Sequence, residues 1–331
     1  MLTRGRKLPI TFPTFRERFP WIGGDLQTLH NTFYHPMPSF SRYPGRRIEI
    51  PLNDGSGDRL LAVLNRQPAD DPGNPLVIIV HGLVGSEMSP SIINSAHYLL
   101  AAGFQVMRLN LRGAGPSRRT CGQHYHAGQS QDLADTFTAV NSIVKPENVF
   151  VFAMSLGGNM LLKYLGEGLN HDVLRGAVAV SAPIRLRDSQ QRIMAPRNMA
   201  YHNHLLTQMK RTALNARNGS SLRPLLKKTH TIYEFDDRIV APNNGFASAE
   251  NYYDSCSAEH FLDKISVPTL IIHARNDPWI PYQMHLDREW SKDGTVSVLI
   301  TSGGGHVGFH GARCSTPWHD RAACTFFRSL L

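Results

Sequence analysis

Three side chains that could carry out nucleophilic catalysis follow one another along the chain. Ser155, Asp277 and His306 each come within a few residues of the end of an apolar run. A serine hydroxyl is a weak nucleophile until a histidine accepts its proton, and the histidine needs a carboxylate that holds its tautomer and offsets its charge. The order Ser, Asp, His therefore predicts a serine nucleophile with its base and orienting acid.

The residues around Ser155 predict a sharp turn from a strand into a helix. Large apolar residues from Val149 lead into Ala153, and Gly157 follows two positions after the serine. Such a turn strains the serine backbone, so the residues two before and two after it must be small. Glycine is usual at the first of these positions, and Ala153 adds only a methyl group. We expect Ser155 at the amino end of a helix, where negative charge is favoured.

The acid and the base are expected at the carboxyl ends of two neighbouring strands. Asp277 comes just after the apolar run Thr269–His273, and His306 lies in a glycine-rich loop after the run Val296–Thr301. Either residue alone could be structural, as a helix cap or a loop histidine. Together with Ser155 they are the predicted catalytic residues.

The oxyanion of an acyl intermediate needs two N–H donors. We predict the backbone N–H of Leu156, directly after the nucleophile, and that of Leu83, in the loop after the first buried strand. His81 precedes the turn at Gly82. A histidine at this position more often binds the loop backbone than acts as a catalytic base.

The elements that must position these residues alternate along the chain, as in a mostly parallel sheet covered by helices. An antiparallel hairpin opens the pattern. The predicted strands are 47–52, 60–65, 76–80, 104–109, 149–153, 177–181, 269–273 and 296–301, and the predicted helices are 91–102, 129–144, one from about 156, 282–290 and a last one ending at 331.

Residues 184–251 interrupt the alternation with helical periodicity and little strand character. We interpret them as an inserted cap over the carboxyl edge of the sheet, where ligands bind in such folds. Packing elsewhere, or a role in oligomerisation, is the alternative. Residues 1–45 are expected to be an N-terminal extension that packs on the core of a single domain spanning 1–331.

The composition excludes several classes of protein. The chain has 331 residues, 41% hydrophobic residues and a formal charge of +9, so disorder is excluded, and no apolar run is long enough for a membrane helix. The basic residues do not form a nucleic-acid-binding pattern, so no nucleic-acid partner is predicted. A weak peripheral attraction to anionic membrane surfaces fits the charge better.

Cysteine and histidine spacings point away from metals and disulfides. The four cysteines form no Cys-x-x-Cys pair, and neither His124-x-His126 nor His202-x-His204 has a further ligand at a suitable spacing. No apolar stretch of a signal peptide follows the first basic residues. We therefore predict a cytoplasmic protein that uses no metal and no organic cofactor, and the sequence leaves its oligomeric state open.

With these motifs in place, the chain resembles the YheT-like branch of the α/β-hydrolase superfamily over nearly its whole length. The motifs that carry the resemblance are Leu26-Gln27-Thr28, His81-Gly82-Leu83, Arg112-Gly113, Tyr125-His126-Ala127-Gly128, Ser155-Leu156-Gly157-Gly158-Asn159, Ser181-Ala182-Pro183, Glu234-Phe235-Asp236-Asp237, Asn251-Tyr252-Tyr253 and Cys256-Ser257. Several of them have no role in a generic hydrolase, so the match is specific to this branch. The resemblance implies an α/β-hydrolase fold and esterase chemistry, and it determines the chemistry better than the substrate.

The sequence thus predicts a serine hydrolase that cleaves short- to medium-chain acyl esters of small molecules through an acyl-serine intermediate. Acyl transfer to an alcohol is an alternative because it uses the same intermediate. A non-catalytic ligand-binding protein of the same fold is the alternative of another class. Apolar cap residues are expected to line the acyl pocket; they are Met194, Met199, Leu205, Leu206, Met209 and Leu214.

Overall fold

The strands predicted from short apolar runs are present and form one sheet in a computed structural model. It describes residues 2–4, 10–34, 37–66, 74–169, 171–216, 219–290 and 294–331. The strands are β1 (Leu2–Arg4), β2 (Gly45–Pro51), β3 (Arg59–Asn65), β4 (Leu76–Val80), β5 (Gln105–Leu109), β6 (Val149–Met154), β7 (Leu174–Val180), β8 (Thr269–Ala274) and β9 (Val296–Thr301). Their spatial order is β1-β9-β8-β7-β6-β4-β5-β3-β2.

The sheet is parallel in its centre and antiparallel at both ends. Strands β5, β4, β6, β7, β8 and β9 pair in parallel. The predicted hairpin of β2 and β3 is antiparallel and joins the sheet through β5. Strand β1, which the sequence did not predict, pairs antiparallel with β9. The carboxyl ends of the parallel strands therefore meet at one edge of the sheet.

Helices cover both faces of the sheet and fill the segment between β7 and β8. They are α1 (Gly24–Phe33), α2 (Pro90–Ala101), α3 (Gln131–Ile143), α4 (Leu156–Gly166), α5 (Leu186–Met194), α6 (Met199–Leu214), α7 (Arg223–Lys227), α8 (Ile232–Phe235), α9 (Ala241–Asn243), α10 (Ala249–Cys256), α11 (Gln283–Leu286) and α12 (Trp318–Arg328). One turn of π-helix, Asp236–Val240, joins α8 to α9.

The central strands are buried on both faces, as continuous apolar runs require. Alternate residues of β4 and β6 point to opposite sides because the side-chain period of a strand is two. Ile78 and Val151 belong to one core cluster, and Ile79 and Phe152 belong to the other. The two cores hold the strand ends in place, and those ends carry the predicted site residues.

Two elements of the structure differ from the sequence prediction. Helix α1 was not predicted, because it buries the polar residues Gln27 and His30 and so lacks the usual apolar pattern. The helix predicted over 282–290 is limited to α11, a single turn. Trp290 instead folds back, and its Nε1–H donates to the carbonyl oxygen of His285 at 2.9 Å.

Ion pairs of the buried Arg112 side chain hold the loop that contains Arg112 and Gly113. The Arg112 guanidinium donates two hydrogen bonds to Asp132, at 3.1 and 2.6 Å, and one to Asp54 at 2.7 Å. These bonds join the hairpin loop of β2 and β3 to α3. Among the described residues, no helix combines the length and the apolar character that crossing a membrane requires.

Candidate active site

The backbone of Ser155 has the strained conformation that the sequence predicts. It lies between β6 and α4 with a positive φ of 52°, a region that residues with a Cβ adopt rarely. Its N–H donates to the carbonyl oxygen of Val180 at 2.8 Å. A Cβ at Gly157 would lie 2.3 Å from the carbonyl oxygen of His81, so only glycine fits where the helix passes the end of β4.

The three predicted residues are in direct contact. His306 Nε2 is 2.9 Å from Ser155 Oγ, and His306 Nδ1 is 2.9 Å from Asp277 Oδ2. The fold thus brings together residues from the ends of β6, β8 and β9. With Asp277 ionised, Nδ1 carries the proton, and Nε2 is free to accept one from the serine hydroxyl.

The second carboxylate oxygen of Asp277 also accepts hydrogen bonds. Oδ1 accepts the backbone N–H groups of Trp279 at 2.8 Å and Ile280 at 3.0 Å. Burial opposes the charge of Asp277, but His306 and these N–H donors outweigh it, so the pKa of this carboxyl lies below its ordinary value. The Trp279 ring packs on His306 with centroids 4.3 Å apart and shields the Asp277–His306 pair.

Residues from the N-terminal segment hold the loop that carries His306, and the sequence did not predict their role. The backbone N–H of His306 donates to Thr28 Oγ1 at 2.8 Å. The backbone N–H of Gly305 donates to Asn276 Oδ1 at 2.9 Å, and Asn276 Nδ2 donates to Glu17 at 2.9 Å. The one available signal was the Leu26-Gln27-Thr28 motif, which a generic hydrolase does not need.

Gln27 supports the same loop from the other side of His306. Its Oε1 accepts the backbone N–H of His310 at 2.7 Å, and its Nε2 donates to the carbonyl oxygen of His310 at 3.0 Å. Gln27 is completely buried, so a polar side chain of α1 replaces the water that this loop backbone would otherwise bind.

The predicted oxyanion loop lies directly against Ser155. A Cβ at Gly82 would be 2.8 Å from the Ser155 Cβ, so glycine is needed for this approach. The backbone N–H groups of Leu83 and Leu156 have no acceptor among the described residues, and both residues line the cavity that contains Ser155. Both donors are therefore available to a bound group.

His81 binds the loop backbone and does not contact Ser155 or Asp277. Its Nε2 accepts the N–H of Leu111 at 3.1 Å, so its Nδ1 donates to the Gly82 carbonyl oxygen at 2.8 Å. Burial lowers the pKa of His81 to about 4, which keeps the ring neutral. Because C=O and N–H point in opposite directions in a trans peptide, this bond turns the N–H of Leu83 away from His81.

A cavity of about 500 Å³ lies next to Ser155, and residues 184–256 supply much of its wall. Most of the lining is apolar and includes Leu83, Leu186, Ile193, Leu205, Met209, Ile232, Phe235, Ile239 and Trp279. Of the six apolar cap residues proposed for this role, Leu205 and Met209 line the cavity. The other four do not, and Met199 is 44% exposed.

The histidine pairs do not form metal sites within the described ranges, where no cluster of three or more His, Cys, Asp and Glu residues could hold a metal ion. His124 and His126 both line the cavity, and burial lowers the pKa of each to about 4. His202 Nε2 instead accepts the backbone N–H of Ile232 at 3.1 Å. His124 and His126 are therefore neutral groups in the cavity wall, and His202 belongs to helix α6.

The strand order, the turn at Ser155 and the Ser155–His306–Asp277 contacts together define a hydrolase-type α/β fold. A family model described as alpha/beta hydrolase fold matches residues 75–312, and the chain belongs to this family.

Within the family, the chain is similar to the protein named "Putative esterase YheT" of Escherichia coli (strain K12), with 32% identity over 88% of this chain and 86% of that protein. It is also similar to the monoacylglycerol lipase of Saccharomyces cerevisiae, with 27% identity over 78% of this chain and 60% of the lipase. These matches agree with the YheT-like motifs. Among solved structures, the Pyrococcus furiosus esterase Pf2001 shares the fold with a TM-score of 0.57 and 18% identity, over 86% of this chain and 93% of that one.

Proposed function

We propose that this protein is a carboxylic ester hydrolase that works through an acyl-serine intermediate. The contact chain Ser155–His306–Asp277, at 2.9 Å for each link, carries the proposal. The names of its relatives, an esterase and a monoacylglycerol lipase, support the same class of reaction.

The proposed mechanism uses this chain's residues alone. His306 Nε2 takes the proton of Ser155 Oγ as the oxygen attacks the acyl carbon, and the N–H groups of Leu83 and Leu156 bind the resulting oxyanion. His306 then gives its proton to the leaving alcohol as the ester C–O bond breaks. In the second half, His306 takes a proton from water, the hydroxide attacks the acyl-serine, and the carboxylic acid leaves as Ser155 Oγ is protonated again.

A labelling experiment tests the nucleophile directly. We expect a fluorophosphonate probe to modify Ser155 stoichiometrically, as identified by peptide mass spectrometry. Absence of labelling in folded protein would contradict the proposal and favour a non-catalytic ligand-binding protein. Product analysis with added alcohols separates hydrolysis from acyl transfer, because both pass through the same acyl-serine.

The cavity favours acyl chains of medium length. Its apolar wall can bury methylene groups, each of which contributes about 0.8 kcal/mol when it leaves water. Four extra methylenes could contribute about 3 kcal/mol, or roughly 10²-fold in kcat/KM, if all are buried in the transition state. A series of p-nitrophenyl esters from acetate to palmitate measures this preference.

The outer face of α1 is the surface that we propose for peripheral contact with anionic lipid. The burial pattern of this helix is the reverse of the usual one: the polar residues Gln27 and His30 are buried, while Leu26 is 43% and Phe33 is 69% exposed. A surface helix normally buries its apolar face. The neighbouring segment adds further exposed apolar residues, which are Phe19, Ile22, Tyr34 and Met37.

Charge favours an anionic lipid surface as the occupant of this face. Arg16 and Arg313 are exposed and lie close to each other, because the backbone N–H of Ala312 donates to the carbonyl oxygen of Arg16. The chain carries a formal charge of +9. Exposed aromatic and aliphatic side chains beside arginines are the combination that binds at a lipid headgroup boundary.

The cytoplasm remains the proposed compartment. All four cysteines are free thiols, and Cys121, Cys256 and Cys324 are buried. Free thiols are typical of a reducing compartment. Measurement of protein abundance in fractionated cells tests this assignment.

A further inference from the structure

One carboxyl group lies in the otherwise largely apolar wall of the cavity. Asp236 is only 8% exposed and lines the same cavity as Ser155. Phe235 and Ile239, on either side of it in the chain, are apolar members of the same wall. Neither the proposed hydrolysis nor the packing of the cap needs a carboxyl group at this position.

Asp236 has an incomplete set of partners. The Tyr253 hydroxyl donates to Asp236 Oδ2 at 2.7 Å. Among the described residues, no other hydrogen bond and no Lys, Arg or His contact satisfies this carboxyl. A carboxylate can accept several hydrogen bonds, and the Oδ1 atom of Asp236 receives none from the described residues. Burial raises the pKa of Asp236 to about 7.

The two groups of this pair that a ligand can reach, the second oxygen of Asp236 and the hydroxyl oxygen of Tyr253, are both hydrogen-bond acceptors when Asp236 is ionised. The hydroxyl hydrogen of Tyr253 is already used in the hydrogen bond to Asp236, so the hydroxyl oxygen can only accept further hydrogen bonds. The local backbone departs from a regular α-helix, because Asp236 begins the π-helical turn. Such turns occur frequently at functional sites. A hydrogen-bond donor therefore complements this site when Asp236 is ionised.

We propose that Asp236 and Tyr253 form a subsite that binds a hydroxyl group of the ester substrate. The inference rests on the proposed ester hydrolysis and narrows its substrates to hydroxylated esters. The hydroxyl donates to the free oxygen of Asp236, while the rest of the substrate packs on the apolar wall. The hydroxyl belongs either to the alcohol part or to the acyl chain, and the two sources can be separated experimentally.

Matched ester pairs test the subsite in the wild-type protein. The first series consists of ω-hydroxyalkyl octanoates, and the second of ethyl ω-hydroxyalkanoates, each compared with its methyl ether. An ether oxygen cannot donate a hydrogen bond, so we expect kcat/KM to favour the hydroxyl compound by about tenfold or more in one series at the chain length that reaches Asp236. The responding series identifies which part of the substrate carries the hydroxyl.

Two neighbouring variants separate the subsite from general effects of charge. In Asp236→Asn the Tyr253 hydroxyl can bond the amide oxygen, which leaves an NH₂ donor for the ligand. This NH₂ group can donate to an ether oxygen as well as to a hydroxyl oxygen. The ratio of kcat/KM for the hydroxyl compound to kcat/KM for its ether should therefore fall to about one. Asp237→Asn removes the same charge one residue later, where the carboxylate accepts the backbone N–H of Ala249 at 3.0 Å. This control should keep the wild-type ratio.

The result that overturns the subsite differs from the one that overturns ester hydrolysis. Equal rates for the hydroxyl and ether members of every pair, in a protein that hydrolyses ethyl octanoate, would overturn the subsite alone. Calorimetric titration of the Ser155→Ala protein with 1,8-octanediol and with its dimethyl ether needs no turnover. We expect the diol to bind about tenfold more tightly, and equal affinity would also contradict the proposal.

Discussion

The hydroxyl of Thr28 accepts a hydrogen bond from the backbone N–H of His306, although 278 residues separate them in the chain. The same hydroxyl donates to the carbonyl oxygen of Gly24 at 2.7 Å, so its orientation is set from inside α1. The N-terminal helix therefore fixes the loop whose histidine contacts Ser155. We infer that Thr28 is a positioning residue, which acts on the reaction only through His306.

Replacing Thr28 by valine should slow the reaction more than it weakens substrate binding. The variant keeps the side-chain shape but leaves the N–H of His306 without its acceptor, and a small displacement of a catalytic group can cost ~10²-fold in rate. We expect kcat to fall about tenfold or more with little change in KM. Thr28→Ser should restore most of the activity, and Thr32→Val, at an exposed position of the same helix, is the control. A wild-type kcat for Thr28→Val would contradict the positioning role.

Replacing Ser155 by alanine should abolish ester hydrolysis and leave the fold intact. Loss of a triad nucleophile typically costs ~10⁶-fold in kcat. Alanine keeps the Cβ, so the strained backbone at a positive φ is unchanged, and only the hydroxyl that contacts His306 is lost; thermal unfolding should therefore occur near the wild-type temperature. Assays with p-nitrophenyl octanoate and circular dichroism measure both quantities. Residual activity near the wild-type value would exclude Ser155 as the nucleophile.

Replacing Asp277 by asparagine should lower kcat by about 10⁴-fold. An amide can donate to His306 Nδ1, which favours the wrong histidine tautomer, as in other triads. Two further acidic residues lie between Ser155 and His306 in the chain and could be considered as the acid, but Asp236 bonds Tyr253 and Asp237 bonds the N–H of Ala249 instead of His306. Steady-state kinetics compares the loss of kcat in Asp277→Asn with that in Asp237→Asn. A loss below tenfold for Asp277→Asn would point to a different acid.

Replacing Met209 by glutamine should reduce the preference for medium-chain esters. Met209 lines the cavity, whereas Met199 is outside it, so Met199→Gln is a matched control in the same helix. An added amide in the apolar wall must be desolvated when an acyl chain binds, which costs on the order of 1–3 kcal/mol. We expect the ratio of kcat/KM for octanoate over acetate to fall about tenfold in Met209→Gln alone. A profile that neither variant changes would show that the cap does not select the acyl group.

Replacing Leu26 and Phe33 together by serine should weaken binding to anionic vesicles. Co-sedimentation with phosphatidylglycerol vesicles measures the bound fraction, and phosphatidylcholine vesicles show the contribution of lipid charge. Each large apolar side chain contributes about 1.5–3 kcal/mol when fully buried, so the double variant should lose most of its binding. Ile143→Ser changes an exposed apolar residue elsewhere and should bind normally. Absence of binding by the wild type, or a dimer that the double variant disrupts, would contradict a lipid partner.

The turn at Ser155 and the positions of the strands along the chain could be predicted from the sequence because both depend on local patterns. Strands β4, β6, β8 and β9 coincide closely with the predicted apolar runs, since strands buried on both faces need continuous apolar residues. Small residues at Ala153 and Gly157 are required within one turn of Ser155. Asp277 and His306 could be chosen because the carboxyl ends of parallel strands meet at one edge. Their catalytic roles, like those of Leu83 and Leu156, remain predictions.

Helix α1 shows why other features could not be predicted. Its buried face is polar because it bonds the loop around His306, and no periodicity in the sequence reveals a partner that lies far along the chain. The cap residues that line the cavity could not be predicted either, because helical spacing does not tell which methionines face the cavity. Met209 does and Met199 does not, and this depends on how the helices pack on the sheet.

The sequence by itself determined the family, the order of the strands along the chain and the three residues expected to react, because these follow from residue types at short spacings. Only the tertiary structure decided which side chains hold the His306 loop, which cap residues line the cavity and where a carboxyl with a single hydrogen-bond partner faces it. Those features are contacts between distant segments. Their geometry depends on the packing of whole elements, which pairwise spacing along a chain does not encode.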